Sequence, residues 1–118
     1  MKYTHRMKEN RIFKYVLKKG TYTRGAYLAV HTAPMRYEKD SNCLGICVSK
    51  KNGNSVARNK LKRWVREIYR EEEKFLARGH QIVVLYKKNV TLADMEFFKV
   101  RDDIKKCFKE LGLYGKTK

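Results

Sequence analysis

Residues 53–67 read GNSVARNKLKRWVRE and set Arg58, Lys60, Lys62, Arg63 and Arg66 at helical spacing against one carboxylate, Glu67. At about 100° per residue, Ala57, Leu61, Trp64, Val65 and Ile68 gather into an apolar stripe about 100° wide. Arg58, Asn59, Lys62, Arg63, Arg66 and Arg70 fill a contiguous arc on the other side, with Lys60, Glu67 and Glu71 at its far edge. Such a helix can bury one face only. The fold must therefore supply apolar surface for the stripe and leave the arc outside. Stable surface helices commonly intersperse Glu with Lys at four-residue spacing, gaining a few tenths of a kcal/mol per pair. This arc forgoes that, so its charge calls for an external partner.

The rest of the chain divides by periodicity. NRIFKYVLKK, residues 10–19, repeats Ile12, Phe13, Val16 and Leu17 at helical spacing, with Gly20 as a stop. AYLAVHT, 26–32, reads as a strand ending before Pro34, and CLGICVS, 43–49, as a short central strand. KKNGN, 50–54, is a loop, and Asn54 or Ser55 is the predicted N-cap of the basic helix, which runs to about residue 77 with Gly79 beyond it. HQIVVLYK, 80–87, is the clearest strand because it is rich in β-branched residues. Thr91 is expected to cap a last helix, with Asp94 three positions on and Met95, Phe98, Ile104, Phe108 and Leu111 on its apolar side. The order predicts one α+β or α/β domain, residues 1–118, around one mixed sheet. A chain of this length supports a single core.

The balance of 29 Lys+Arg against 12 Asp+Glu gives +17. Self-repulsion of that size disfavours compaction unless a polyanion is met: nucleic acid, an anionic membrane or an acidic protein. No apolar run is long enough to span a bilayer, and MKYTHRMKENR lacks the apolar core of an export signal, so the cytoplasm is expected. A membrane surface fits poorly because the stripe containing Trp64 reads as core. Arginine presents planar donors to phosphate, Asn59 can reach a base or a 2′-hydroxyl, and Lys50 and Lys51 stand at the start of the same helix. Nucleic acid follows. DNA is not expected: there is no zinc finger, zipper or helix-turn-helix, and the arc is broader than a groove-reading face needs. Aromatics on the strands suit single-stranded RNA.

No catalytic residue or metal site emerges. His5 reads as tail, while His31 and His80 lie on strands without a carboxylate or Cys at short helical spacing. Glu71, Glu72 and Glu73 point around a helix, Asp102 and Asp103 are similarly dispersed, and KKNGN lacks the Gly-Lys-Ser/Thr ending of a phosphate loop. Cys43, Cys47 and Cys107 have no zinc spacing and read as reduced core residues. The chain reads as a binding subunit.

VSKKNGNSVARNKLKRWVRE, 48–67, closely resembles the signature of the bacterial ribonuclease P protein subunit, and Phe13, Val16, Leu17 and Gly20 match that family's N-terminal pattern. The likeness covers essentially the whole chain. It implies a sheet of about four strands with three helices and a left-handed βαβ crossover, against the usual hand. It also implies a partner, a large catalytic RNA, and a substrate, precursor tRNA, whose 5′ leader is removed with Mg²⁺ held mainly by the RNA. Lys50, Lys51, Arg58, Asn59, Lys60, Lys62, Arg63 and Arg66 would meet the catalytic RNA. A cleft between the first helix and the sheet would take the leader, with Phe13, Leu17 and His31 as its residues. Lys60 stands where the family's Arg-Asn-Arg motif has its second arginine, keeping charge without the fork. Leu17 and His31 stand where members often carry aromatics. From spacing alone, Phe13 suits either cleft or core and Leu17 suits core. The alternative from another class is a ribosomal or other structural RNA-binding protein without a role in cleavage.

Overall fold

The computed structural model describes residues 1–115. Its centre is β5 (His80–Tyr86), whose β-branched run is buried on both faces. Four further strands flank it: β1 (Thr4–Arg6), β2 (Thr21–Arg24), β3 (Leu28–Pro34) and β4 (Asn42–Cys47). The sheet order is β1-β4-β5-β3-β2, with β1, β4 and β5 parallel and β3 antiparallel to both β5 and β2. Three α-helices complete the domain: α1 (Asn10–Lys19), α2 (Ser55–Glu72) and α3 (Phe97–Glu110). The α+β class with one mixed sheet and three helices is as expected; the strands number five among the described residues. None of the described helices is long and apolar enough to cross a membrane.

Alternation along the strands splits the apolar residues between two cores. Leu28, Val30, Leu44, Ile82, Val84 and Tyr86 face α2 and α3, meeting Leu61, Val65 and Ile68 of the first and Val100, Ile104 and Phe108 of the second. Each such side chain contributes about 1.5–3 kcal/mol on full burial. Cys43, Val83 and Ala33 look the other way, toward Val16 of α1. The larger core fixes the rotation of α2, and the Tyr86 hydroxyl reinforces it by donating to the Leu61 carbonyl at 3.0 Å. The Asp103 carboxylate fixes α3 by accepting from the backbone N–H groups of Ala26, Tyr27 and Leu28 at 2.8, 2.9 and 3.1 Å.

Several boundaries differ from the expectations, each for a local reason. His5 lies in β1, paired with Cys43, and is no tail residue. TYTR forms β2, a strand that was not expected because it is only four residues long. The third strand extends through Pro34, and the fourth begins at Asn42 and ends at Cys47. KKNGN is no plain loop, because residues 50–52 form a 3-10 turn. Helix α2 ends at Glu72 and continues as a 3-10 turn over residues 73–75, so Gly79 is no helix stop; it carries φ +93° in the turn before β5. Thr91 begins a 3-10 turn, where its hydroxyl bonds Asp94 at 2.9 Å, and α3 starts later, at Phe97. Gly20 follows α1 as expected, in extended backbone, and a Cβ there would collide with the Thr32 carbonyl oxygen. Leu17 is no core residue: it is 36% exposed, while Val16 is fully buried.

Glu73 holds β1 in place. Its carboxylate accepts from the Lys2 N–H at 2.7 Å, the Tyr3 N–H at 3.0 Å and the Thr4 hydroxyl at 2.5 Å. Burial raises its pKa, but these bonds and the N-terminal charge together outweigh that and hold it below the ordinary glutamate value. A carboxylate depressed in the folded state stabilises above its unfolded pKa and ceases to do so as pH falls through the folded value. Glu73→Gln should therefore lower stability by about 1–3 kcal/mol at neutral pH. In urea unfolding the gap to the wild type should shrink as pH drops below about 4.5.

Candidate nucleic-acid interface

The start of α2 is built from side-chain caps. Ser49 and Asn52 bond reciprocally across the 3-10 turn, and the fully buried Asn52 also donates to the carbonyls of Lys87 and Val90 at 2.8 and 2.7 Å. Asn54 then caps α2, accepting from the Ala57 N–H at 2.9 Å. This ties the loop to the segment after β5 and leaves Lys50 and Lys51 exposed beside the helix N-terminus.

Packing divides the basic arc into two rows. Arg58, Lys62 and Arg66, four residues apart, are half-buried; Lys62 and Arg66 line a hollow with the edge of β4. Asn59, Arg63 and Arg70 are exposed and turned away. Lys60 leans over the Trp64 ring at 5.7 Å, and Trp64 meets Phe97 edge-on. Arg63 approaches Glu67 at 4.0 Å, an exposed contact worth little. Among the described residues, Arg58, Lys60, Lys62, Arg66 and Arg70 have no carboxylate within ion-pair distance, and the buried Nε of Arg58 has no hydrogen-bond partner.

The hollow forms because β1 is short. It pairs with residues 42–44 only, so β4 beyond Leu44 has an uncovered edge. There Phe13 of α1, Gly45 and Ile46 of β4, and Lys62 and Arg66 of α2, with β1 and Met7 along the near side, line a space of ≈ 470 Å³. Gly45 is what admits Phe13, since a Cβ would lie 2.5 Å from the ring carbon Cε1. Phe13 is thus half-buried, with one part seated on the sheet and the rest on the hollow.

Pairing places Tyr22 opposite His31 and Arg24 opposite Ala29, on the sheet face that α1 partly covers. The Tyr22 and His31 rings stack with centroids 5.0 Å apart and 18° between planes, and the Arg24 guanidinium lies 5.9 Å from the Tyr22 centroid. Burial, and then the charge of Arg24, lower the His31 pKa, so its ring is neutral at pH 7, with a buried Nδ1 that has no partner. Tyr22 is 57% exposed. Sequence reasoning missed Tyr22, Arg24 and Gly45. The alternation in TYTR was the available signal for the first two. The structure thus brings Phe13, Lys62 and Arg66 together, sets His31 under Tyr22, leaves Leu17 exposed one turn beyond Phe13, and spreads Lys50, Lys51, Asn59, Lys60 and Arg63 over the outer surface.

No three His, Cys, Asp or Glu among the described residues assemble as metal ligands. Three of the dispersed carboxylates are engaged within the fold: Glu72 accepts from the Tyr114 hydroxyl at 2.7 Å, Glu73 from the Thr4 hydroxyl and Asp103 from the Ala26 N–H. All three cysteines are reduced; Cys43 and Cys107 are buried and Cys47 half-buried.

The Ribonuclease P family model matches residues 1–112. The ribonuclease P protein component of Bacillus velezensis is 30% identical over 117 residues, covering 99% of this chain and 97% of its own. That of Clostridium acetobutylicum is 35% identical over 112 residues, covering 91% and 92%. Among solved structures, the Staphylococcus aureus RNase P protein aligns with a TM-score of 0.81 and 30% identity over 93% of this chain and 97% of that one. The Thermotoga maritima RNase P protein aligns with a TM-score of 0.74 and 33% identity over 86% and 93%. With its fold, length and motif all accounted for by the same relatives, the chain belongs to the ribonuclease P protein family.

Proposed function

We propose that this chain acts in the cytoplasm as the RNA-binding subunit of a ribonuclease P holoenzyme, gripping the catalytic RNA with α2 and the 5′ leader of precursor tRNA in the cleft beside α1. The observation that carries this reading is the meeting of an aromatic wall and a cation row in one hollow, Phe13 against Lys62 and Arg66. Unstacked bases need apolar faces and their phosphates need cations a few ångströms away. The outward row of Asn59, Arg63 and Arg70, with Lys50 and Lys51, is then free for a second RNA surface on the opposite side of the helix. One helix thereby touches both RNAs and holds them at a fixed separation.

The protein's part in cleavage is electrostatic and positional. Phosphates neutralised by α2 let two polyanions approach, and a held leader distinguishes precursor from product. Mg²⁺ supplies the activated nucleophile and charge stabilisation of the phosphodiester hydrolysis. Among the described residues no three His, Cys, Asp or Glu assemble as ligands; in this reading the RNA holds the ion and the catalytic groups.

Cleavage of precursor tRNA by a bacterial ribonuclease P RNA at low Mg²⁺, with and without this protein, tests the reading. The wild type should stimulate strongly. Arg58→Ala/Arg63→Ala should weaken binding to the catalytic RNA by about tenfold per arginine, as expected for a lost charge-assisted hydrogen bond. Tight RNA binding without stimulation would leave a structural RNA-binding protein as the better account.

The cleft makes a separate prediction. Phe13→Ala and Tyr22→Ser should each weaken binding of leader-bearing tRNA about tenfold, the size of one lost stacking contact, and leave binding of mature tRNA unchanged. Equal losses on both substrates would place these side chains outside the leader path.

A further inference from the structure

Helix α1 has a second flank. Ile12 and Tyr15 lie on the side away from Leu17, with Tyr15 and Leu17 about 200° apart around the helix. There a cavity of ≈ 700 Å³ opens between α1, the end of the sheet and residues 35–38. Its floor is Cys43 and Gln81 of the central strands, both buried, the Gln81 amide donating to the Pro34 carbonyl at 2.9 Å, with the half-buried Ile12 and Met35 beside them. Its mouth carries two exposed tyrosines, Tyr15 at 42% and Tyr37 at 80%. The Arg36 guanidinium stands 5.8 Å from the Tyr15 ring centroid.

The geometry points to a second nucleotide-binding site here, taking a base against Tyr15 and Tyr37 and its phosphate on Arg36. The charges at the rim are unequal in a telling way. Arg11 is held by Glu9 at 2.6 Å and His5 by Glu38 at 3.0 Å. Arg36 alone of the three has no carboxylate within ion-pair distance among the described residues. An uncompensated guanidinium next to exposed aromatic faces suits a base and its phosphate together. The volume is in the range of small-molecule sites, about 300–1,000 Å³. The cavity shares only His5 with the hollow that holds Phe13, Lys62 and Arg66, and the groups proposed to bind here, Tyr15, Arg36 and Tyr37, line this cavity alone.

A free nucleotide and a nucleotide within an RNA chain share this chemistry, and two probes separate them. Adenosine 5′-monophosphate and the trinucleotide ApApA would be titrated into the isotope-labelled full chain and followed by NMR. Saturable shifts are expected at Ile12, Tyr15, Met35 and residues 36–38. Arg36→Ala and Tyr15→Ala should each weaken binding about fivefold, the size of one cation–aromatic contact. Both side chains are exposed, so signals elsewhere should stay in place and show that the variants fold. Phe13→Ala should leave these shifts unaltered. Tighter binding of ApApA would identify an RNA strand as the occupant, and equal binding a free nucleotide. Shifts confined to Phe13, Leu17, Tyr22 and His31 would overturn the inference. So would an affinity indifferent to both substitutions, or no saturation by roughly 10 mM.

Discussion

The contact of α2 with the sheet governs everything else in this molecule. Leu61, Val65, Ile68 and Tyr69 are fully or almost fully buried on one side of the helix, and the Tyr86 hydroxyl reaches the Leu61 carbonyl from β5. That contact permits one rotation of the helix, so every cation on it has a fixed direction. Turning α2 by one residue would put Lys62 into the apolar core, where an unpaired ammonium is untenable. The arrangement of positive charge is thus a consequence of apolar packing. A helix free to roll would carry the same charge with no address.

Two small absences of side chain or strand then turn a basic helix into a structured site. β1 stops pairing at Leu44, which bares the β4 edge next to Lys62 and Arg66. Gly45 has no Cβ, which lets the Phe13 ring sit directly over the sheet. A longer first strand would cover the hollow, and a larger residue at 45 would push the aromatic wall out of it. Glu73 contributes to the same opening, since it anchors the short strand whose end defines it.

Local periodicity made α1, α2 and β5 legible because each carries its apolar residues at one clear spacing over seven or more positions. β1 and β2 were not legible. They are three and four residues long, mostly polar, and exist because neighbouring strands accept them. The end of α2 was misplaced because Phe75 and Leu76 prolong the apolar pattern, whereas the turn there depends on Glu72 and Glu73. Their partners, Tyr114 and residues 2–4, lie about 40 and 70 positions away in sequence. In the interface, the sorting of charge on α2 could be read directly from spacing. Its division into an inner and an outer row could not, because that depends on where β1 ends. Leu17 looked like core by its spacing from Phe13 and is exposed because Val16 takes the buried position. Tyr22 illustrates the same limit: its stacked placement comes from the cross-strand partner His31, not from its neighbours in the chain.

The central claim is that the orientation of α2, and not the overall charge of the chain, carries RNA binding. The most direct measurement is the salt dependence of affinity for a ribonuclease P RNA. The wild type would be compared with Arg58→Ala/Arg63→Ala/Arg70→Ala on α2 and with Lys99→Ala/Lys105→Ala/Lys106→Ala on α3. Both variants lose three charges. The account predicts that the α2 variant lowers the slope of log affinity against log salt by about one per lost contact, while the α3 variant leaves it nearly unchanged. Equal reductions in the two would contradict it, because RNA would then be responding to net charge alone.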